Sequence, residues 1–173
     1  MQQTVVTIDP SVCHAKLKSD KTLCGLAYFD DQQSQRGIVS ESLEYFRLMT
    51  FFKNYNYEGP SDILLIYLWV VAAHMIKTIE NDQDQQAAAK KLDEIAREAI
   101  PTRSGDKKNF LGGLLKETPG ETDKIQGYLK GLKDILGKEI IAKFFKEGKR
   151  TFDAKFWIGI AKRKFMGLSY TGL

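Results

Sequence analysis

"PSDILLIYLWVVAAHMIKTIE", residues 60–80, holds the longest apolar run of this chain, and from Ile63 to Ile76 every residue except His74 is apolar or aromatic. A membrane span, a pair of buried strands and a helix wrapped by protein all use such runs. Fourteen residues of helix rise about 21 Å, short of the roughly 30 Å hydrocarbon layer of a bilayer. A window long enough to cross takes in Asp62, His74, Lys77 and Glu80. Two strands need a turn signal between them, and the run contains none. Ser61 or Asp62 offers a helix N-cap, and Asp62 also complements the helix dipole. The run therefore predicts a central helix buried on nearly all sides for its first three turns.

Upstream, "GIVSESLEYFRLMTFFKN" places Val39, Leu43, Phe46 and Thr50 at helical spacing. Lys53 suits its last turn, Asn54 can take a left-handed cap, and Gly59-Pro60 prevents continuation. Residues 1–36 show no sustained period. Within them "TVVTI" and "LCGLAYF" suit short extended segments and "DDQQSQRG" reads as polar loop. This predicts an extended N-terminal arm, residues 1–36, lying on a helical domain, residues 37–173.

Downstream, "DQDQQAAAKKLDEIAREAI" has high helix propensity and a generous polar face, and Pro101 stops it. Residues 101–120 hold four glycines and two prolines, and read as loop with an apolar plug at Phe110, Leu111, Leu114 and Leu115. A helix opening near Thr118 or Thr122 then carries Ile125, Leu129, Leu132, Leu136, Ile140 and Phe144 in steps of three and four. Gly137 marks a place for a bend. "GKRTFD" is a turn, and "AKFWIGIAKRKFM" makes the last helix. The fold class is mainly α: a compact helical domain around a buried central helix, with the arm.

At 173 residues and 43% hydrophobic content the chain suits one domain with a real core. Cys13 and Cys24 fit neither a disulfide framework nor a four-ligand zinc site, which points to reduced thiols in a cytoplasmic protein. The opening "MQQTVVTIDPSV" lacks a basic region followed by an apolar core, so no secretory signal is expected. The net charge of +4 is uneven: residues 138–164 carry nine Lys/Arg against Glu139, Glu147 and Asp153. Such asymmetry suggests that the C-terminal third meets an acidic partner, whether protein, nucleic acid or membrane surface.

A search for chemistry finds little. "GLKDILGKE" has one residue too many between its glycines for a phosphate loop, and Glu139 stands where Ser or Thr must hold magnesium. His14 beside Cys13 has only Cys24 as a further soft ligand, and His74 reads as a partly exposed helix residue. No Ser/His/Asp order, GxSxG elbow or HExxH motif occurs. Neither enzyme activity, metal nor cofactor is expected.

On a wheel of the last helix, Trp157, Ala161, Phe165, Ile160 and, at its edge, Phe156 share one side, while Lys162 and Arg163 point away. Lys164 falls in the middle of the apolar side. Either Lys164 snorkels past the core edge with the cations favouring the helix C-terminus, or the triplet with Phe165 and Met166 forms a docking surface. The candidate interface is Lys162, Arg163, Phe165 and Met166 with the basic neighbours Lys149 and Arg150.

"EYFRLMTFFKNY", "LLIY", "GYLKGLKDILGKEIIAKFF" and "FWIGIAKRKFMGLSY" in this order carry a resemblance. The Phe51–Tyr55 box, Ile66-Tyr67, the Tyr128, Leu129, Leu132 pattern, and Lys162, Arg163, Phe165 and Met166 resemble the subunit-three family of the actin-related protein 2/3 complex. The resemblance runs from about residue 37 to 169, interrupted at 80–120. Lys164 replaces a usually neutral polar residue, and residues 101–120 lack the family's proline-rich character. The resemblance implies a small, mainly helical, non-catalytic subunit of a seven-protein assembly that nucleates actin filaments as branches. It further implies docking on the larger actin-related protein, an approach to the mother filament, nucleotide held by the actin-related proteins, and a place in the actin cytoskeleton. The other reading is an independent basic helical module that binds nucleic acid or an acidic membrane surface through residues 138–164.

Overall fold

In a computed structural model, residues 14–49, 56–99, 115–116 and 118–163 are described, and the run at 60–80 forms helix α2, Pro60–Thr78. Leu64 through Ala72 are buried without a break, and Met75 and Ile76 follow them into the core. By length and composition α2 could cross a membrane, but most of it is enclosed by the rest of the fold. Its wrapping consists of α1 (Gln32–Met49), α3 (Gln85–Arg97), α4 (Thr122–Phe144), α5 (Ala154–Ala161) and strand β2 (Leu26–Ala27), all of which pack against it. The architecture is mainly α, as expected.

The entry to α2 differs from expectation. Gly59, extended in its backbone, is the N-cap and Pro60 is the first helical residue, where a missing N–H costs nothing. Asp62 is freed from capping its own helix and instead gathers neighbours. Its Oδ1 accepts from the Ala15 amide at 2.8 Å, and its Oδ2 lies 2.8 Å from both the Glu58 amide and His14 Nδ1. Glu41 on α1 does the same for the next two residues, accepting from the Lys16 amide at 2.5 Å and the Leu17 amide at 3.3 Å. Both carboxylates are buried. Residues 15–17 are thus stitched to two helices through backbone amides.

Strand β1 (Thr22–Leu23) pairs antiparallel with β2, so "LCGLAYF" folds as a hairpin instead of one extended piece. Cys24 and Gly25 form its two-residue turn with φ of 50° and 84°, the primed geometry that fits strand twist. "TVVTI" lies outside the described residues. Tyr128 of α4 clamps this hairpin: its hydroxyl donates to the Ala27 carbonyl at 3.0 Å and accepts from the Phe29 amide at 3.3 Å. Burial holds that phenol protonated, well above the ordinary tyrosine range.

Helix α1 starts at Gln32, inside the stretch read as polar loop. The Asp31 carboxylate accepts from the Ser34 amide at 2.7 Å and so caps it. The first turns face solvent and carry no apolar period to signal them. Val39, Leu43 and Phe46 are buried as their spacing requires. The features at Thr50 to Asn54 lie outside the described residues.

In α3, Asp84 caps the N-terminus through the Ala87 amide at 2.8 Å. Ala88, Leu92, Ile95 and Ala96 are its buried face, laid mainly on α4. All six stripe residues of α4 are buried, and the helix runs unbroken through Gly137. Gly137 faces α3, where a Cβ would meet Leu92 Cβ at 3.4 Å, an ordinary contact distance. Lys133, only 1% exposed, donates to the Ile95 and Glu98 carbonyls at 3.0 and 2.7 Å and closes the C-terminus of α3. Of the predicted plug only Leu115 is described, packed against the core.

"GKRTFD" belongs to a second hairpin, β3 (Phe145–Lys146) with β4 (Lys149–Arg150), turning at Glu147 and Gly148 with φ of 52° and 75°. Helix α5 is shorter than predicted. It ends at Ala161, and Lys162 is its C-cap, where the Arg163 amide reaches back to the Ile160 carbonyl at 3.0 Å and tightens the last turn.

Removing the Asp62 carboxylate strands two backbone amides. Asp62→Ala is expected to cost about 3 kcal/mol. Hydrogen exchange read by NMR will show the Ala15 and Glu58 amides losing protection ahead of the core. His74 on α2 is half-buried, and burial pushes its imidazole pKa below the ordinary 6.5, outweighing Glu98, which acts the other way. The unfolded chain therefore takes up this proton first, and stability falls as the pH drops below 6.5. Urea midpoints at neutral and acid pH will show a smaller acid loss in His74→Gln than in the parent.

Candidate partner interface

The basic C-terminal third is built on Trp157. Its ring is buried and stacks on Phe46 of α1 at 5.6 Å between centroids. The guanidinium of Arg47 lies 5.0 Å and the ammonium of Lys143 lies 5.9 Å from the same ring. One aromatic side chain thereby fixes α5 against α1 and α4 and spends two cations doing so. The Thr151 amide donates to the Phe144 carbonyl at 2.7 Å, which sets the second hairpin square on the end of α4.

The sequence-selected residues do different things. Lys149 is exposed on the hairpin. Arg150 is half-buried: its Nη1 donates to the Asp82 carbonyl at 3.1 Å, and its guanidinium sits 6.0 Å from the centre of the Phe144 ring. Arg150 therefore ties β4 to the loop after α2. Lys162 is exposed and pairs with Glu80 at 2.9 Å, joining the ends of α5 and α2. Arg163 is also exposed. Phe165 and Met166 lie outside the described residues, as does Lys164.

Beside these cations runs an open groove of about 560 Å³, lined by Glu80, Gln83, Arg150, Thr151, Phe152, Lys155 and Ile158. Phe152 on its wall is 74% exposed, and Phe156 next to it is 57% exposed. Their rings meet edge to face at 5.7 Å. The wheel counts Phe156 with the apolar face of Trp157, but it lies at the margin of that face and stays exposed, and Phe152, four residues before it, reads from sequence only as part of a turn. The available signal was two aromatics close in sequence at the start of the last helix, one of them in the turn before it.

Comparison with known proteins now bears on the whole chain. The family described as "P21-Arc: ARP2/3 complex ARPC3 (21 kDa) subunit" matches residues 7–170. The chain belongs to this family. Among individual P21-Arc relatives, the actin-related protein 2/3 complex subunit 3 of Arabidopsis thaliana is 27% identical over 138 residues, covering 79% of this chain and 78% of the relative. A probable subunit 3 from Caenorhabditis elegans is 26% identical over 82% of this chain and 78% of its own length. The Schizosaccharomyces pombe subunit 3 is 28% identical over 82% of this chain and 80% of its own. The family span includes residues 80–120, where the resemblance read from motifs was interrupted.

The different duties of adjacent cations can be separated. Arg150→Ala is expected to lower stability by about 1 kcal/mol, whereas Lys149→Ala stays within roughly 0.5 kcal/mol of the parent. Chemical denaturation of the two variants side by side checks this.

Proposed function

We propose that this chain is a structural, non-catalytic subunit of the actin-related protein 2/3 complex. In this reading it supports the nucleation of branched actin filaments by docking on an actin-related protein. The family match along residues 7–170 carries the proposal. The mechanism is positioning: a rigid helical body presents a basic face, and binding free energy holds partners in register. Lys149, Arg150, Lys162, Arg163, Phe165 and Met166 are the proposed interface, with Arg150 acting mainly by fixing the hairpin that carries its neighbours. The wider reading places the chain in a seven-protein assembly of the cytoplasm that approaches an existing filament. The relatives' names speak for a complex subunit and lend no support to an independent nucleic-acid or membrane-binding module.

Affinity purification of the tagged chain at mild salt is expected to bring down two actin-fold proteins, identified by mass spectrometry. Depleting the chain is expected to abolish branching in a pyrene-actin and microscopy assay. Recovery of the chain without any actin-fold partner would refute the reading.

A further inference from the structure

Phe152 and Phe156 contribute little to the fold that holds them. At 74% and 57% exposure they leave most of their apolar surface in water, while Trp157 beside them is only 5% exposed and supplies the packing of α5. Single exposed aromatics are ordinary. Two in ring contact, one of them (Phe152) on the wall of a groove that the half-buried Ile158 also lines, form an apolar patch. Tyr57 is the other large hydrophobic side chain exposed among the described residues, and it stands on the far loop before α2.

The surroundings of the pair are cationic. Lys155 places its ammonium 6.0 Å from the Phe152 ring centre, and Arg150 lines the same groove. Lys146, Lys149, Lys162 and Arg163 are exposed on the adjoining hairpin and helix end. Against them stand Glu147, Asp153 and Glu80, the last already paired with Lys162. Such a field favours a partner rich in carboxylates. The shape decides further. The two rings project, so what receives them must be concave, and a short flexible peptide offers no preformed socket.

We propose that Phe152 and Phe156 are a paired apolar anchor that inserts into a socket ringed by carboxylates on a folded protein of the same complex. This rests on the subunit reading above and assigns the anchor to residues outside the interface selected from the sequence. Docking removes the rings from water and strengthens the Lys155–Phe152 contact by desolvating it. The cations supply orientation and encounter rate, and the rings supply most of the holding power.

The test reconstitutes the complex with the parent chain, Phe152→Ser/Phe156→Ser, Phe152→Ser alone, Lys155→Glu, and Tyr57→Ser as the control. Incorporation is read by size exclusion and by titration of the labelled chain into the remaining subunits at several salt concentrations. The double variant is expected to melt like the parent and to bind at least about tenfold more weakly. Phe152→Ser alone, at the more exposed of the two positions, is expected to lose part of that affinity even if the double variant folds poorly. Lys155→Glu is expected to weaken binding most at low salt, and Tyr57→Ser to bind as the parent does. Parent-like incorporation of both phenylalanine variants would overturn the anchor while leaving the subunit reading intact. Failure of the parent chain to incorporate would overturn the subunit reading itself. Loss confined to self-association in sedimentation, or to binding of phosphatidylserine vesicles, would overturn the proposal in favour of a second copy or a lipid surface.

Discussion

A helix with no polar face cannot lie on a surface, and that constraint on α2 organises everything around it. Every side of Leu64 through Ala72 must meet protein. One sheet or one helix pair cannot do this, so four helices and a strand close around the run. The shell elements are accordingly two-faced. The face of α3 toward α4 is small and aliphatic, and α4 shows a stripe inward and Lys124, Lys130, Lys138 and Lys143 outward. The depth of the fold comes from one segment and its breadth from amphipathic neighbours that would be unstable alone.

The enclosure creates a second difficulty, because helix ends and extended segments carry polar backbone groups into the same interior. The chain answers with ionisable side chains used as internal hydrogen-bonding groups. Asp62 and Glu41 accept from the amides of residues 15–17, and Lys133 donates to carbonyls at the C-terminal end of α3. Each makes two or more hydrogen bonds, which is the condition under which a buried ionisable group is tolerated. The interior is therefore a greasy rod fastened at its periphery by a few charged clasps.

Much of this was legible in the residues. The central helix follows from an unbroken apolar run without a turn signal, and the buried stripe Ile125 to Phe144 from its period; together they give the mainly helical class. What escaped reading depended on pairs distant in sequence. Asp62 looked like a cap because caps are local, whereas its partner Ala15 is on another segment. The start of α1 escaped because its first turns bury nothing, and the two-residue strands escaped because they are too short to have a period. At the candidate interface the charge excess was visible, but its division was not: Arg150 and Lys162 hold loops and helix ends together, and only the fold reveals that. Phe156 counts with the apolar face because it sits at the edge of the Trp157 stripe, and Phe152 reads only as a turn residue; that the two rings meet in the open is visible only in the fold.

The stitching of residues 15–17 has a consequence for how this protein can change. The bonds there take backbone amides from one side and carboxylates from the other. Every amino acid except proline carries such an amide, so this segment offers its half of the hydrogen bonds whatever its side chains are. The acceptors have no such latitude, since few residues place an oxygen at that reach. Sequence drift and engineered variation are thus unequally shared. The hydrogen bonds of the threaded segment ask nothing of its side chains, although Ala15 is buried and Leu17 packs against the core, while the fixity of its path is vested in two acids on helices elsewhere.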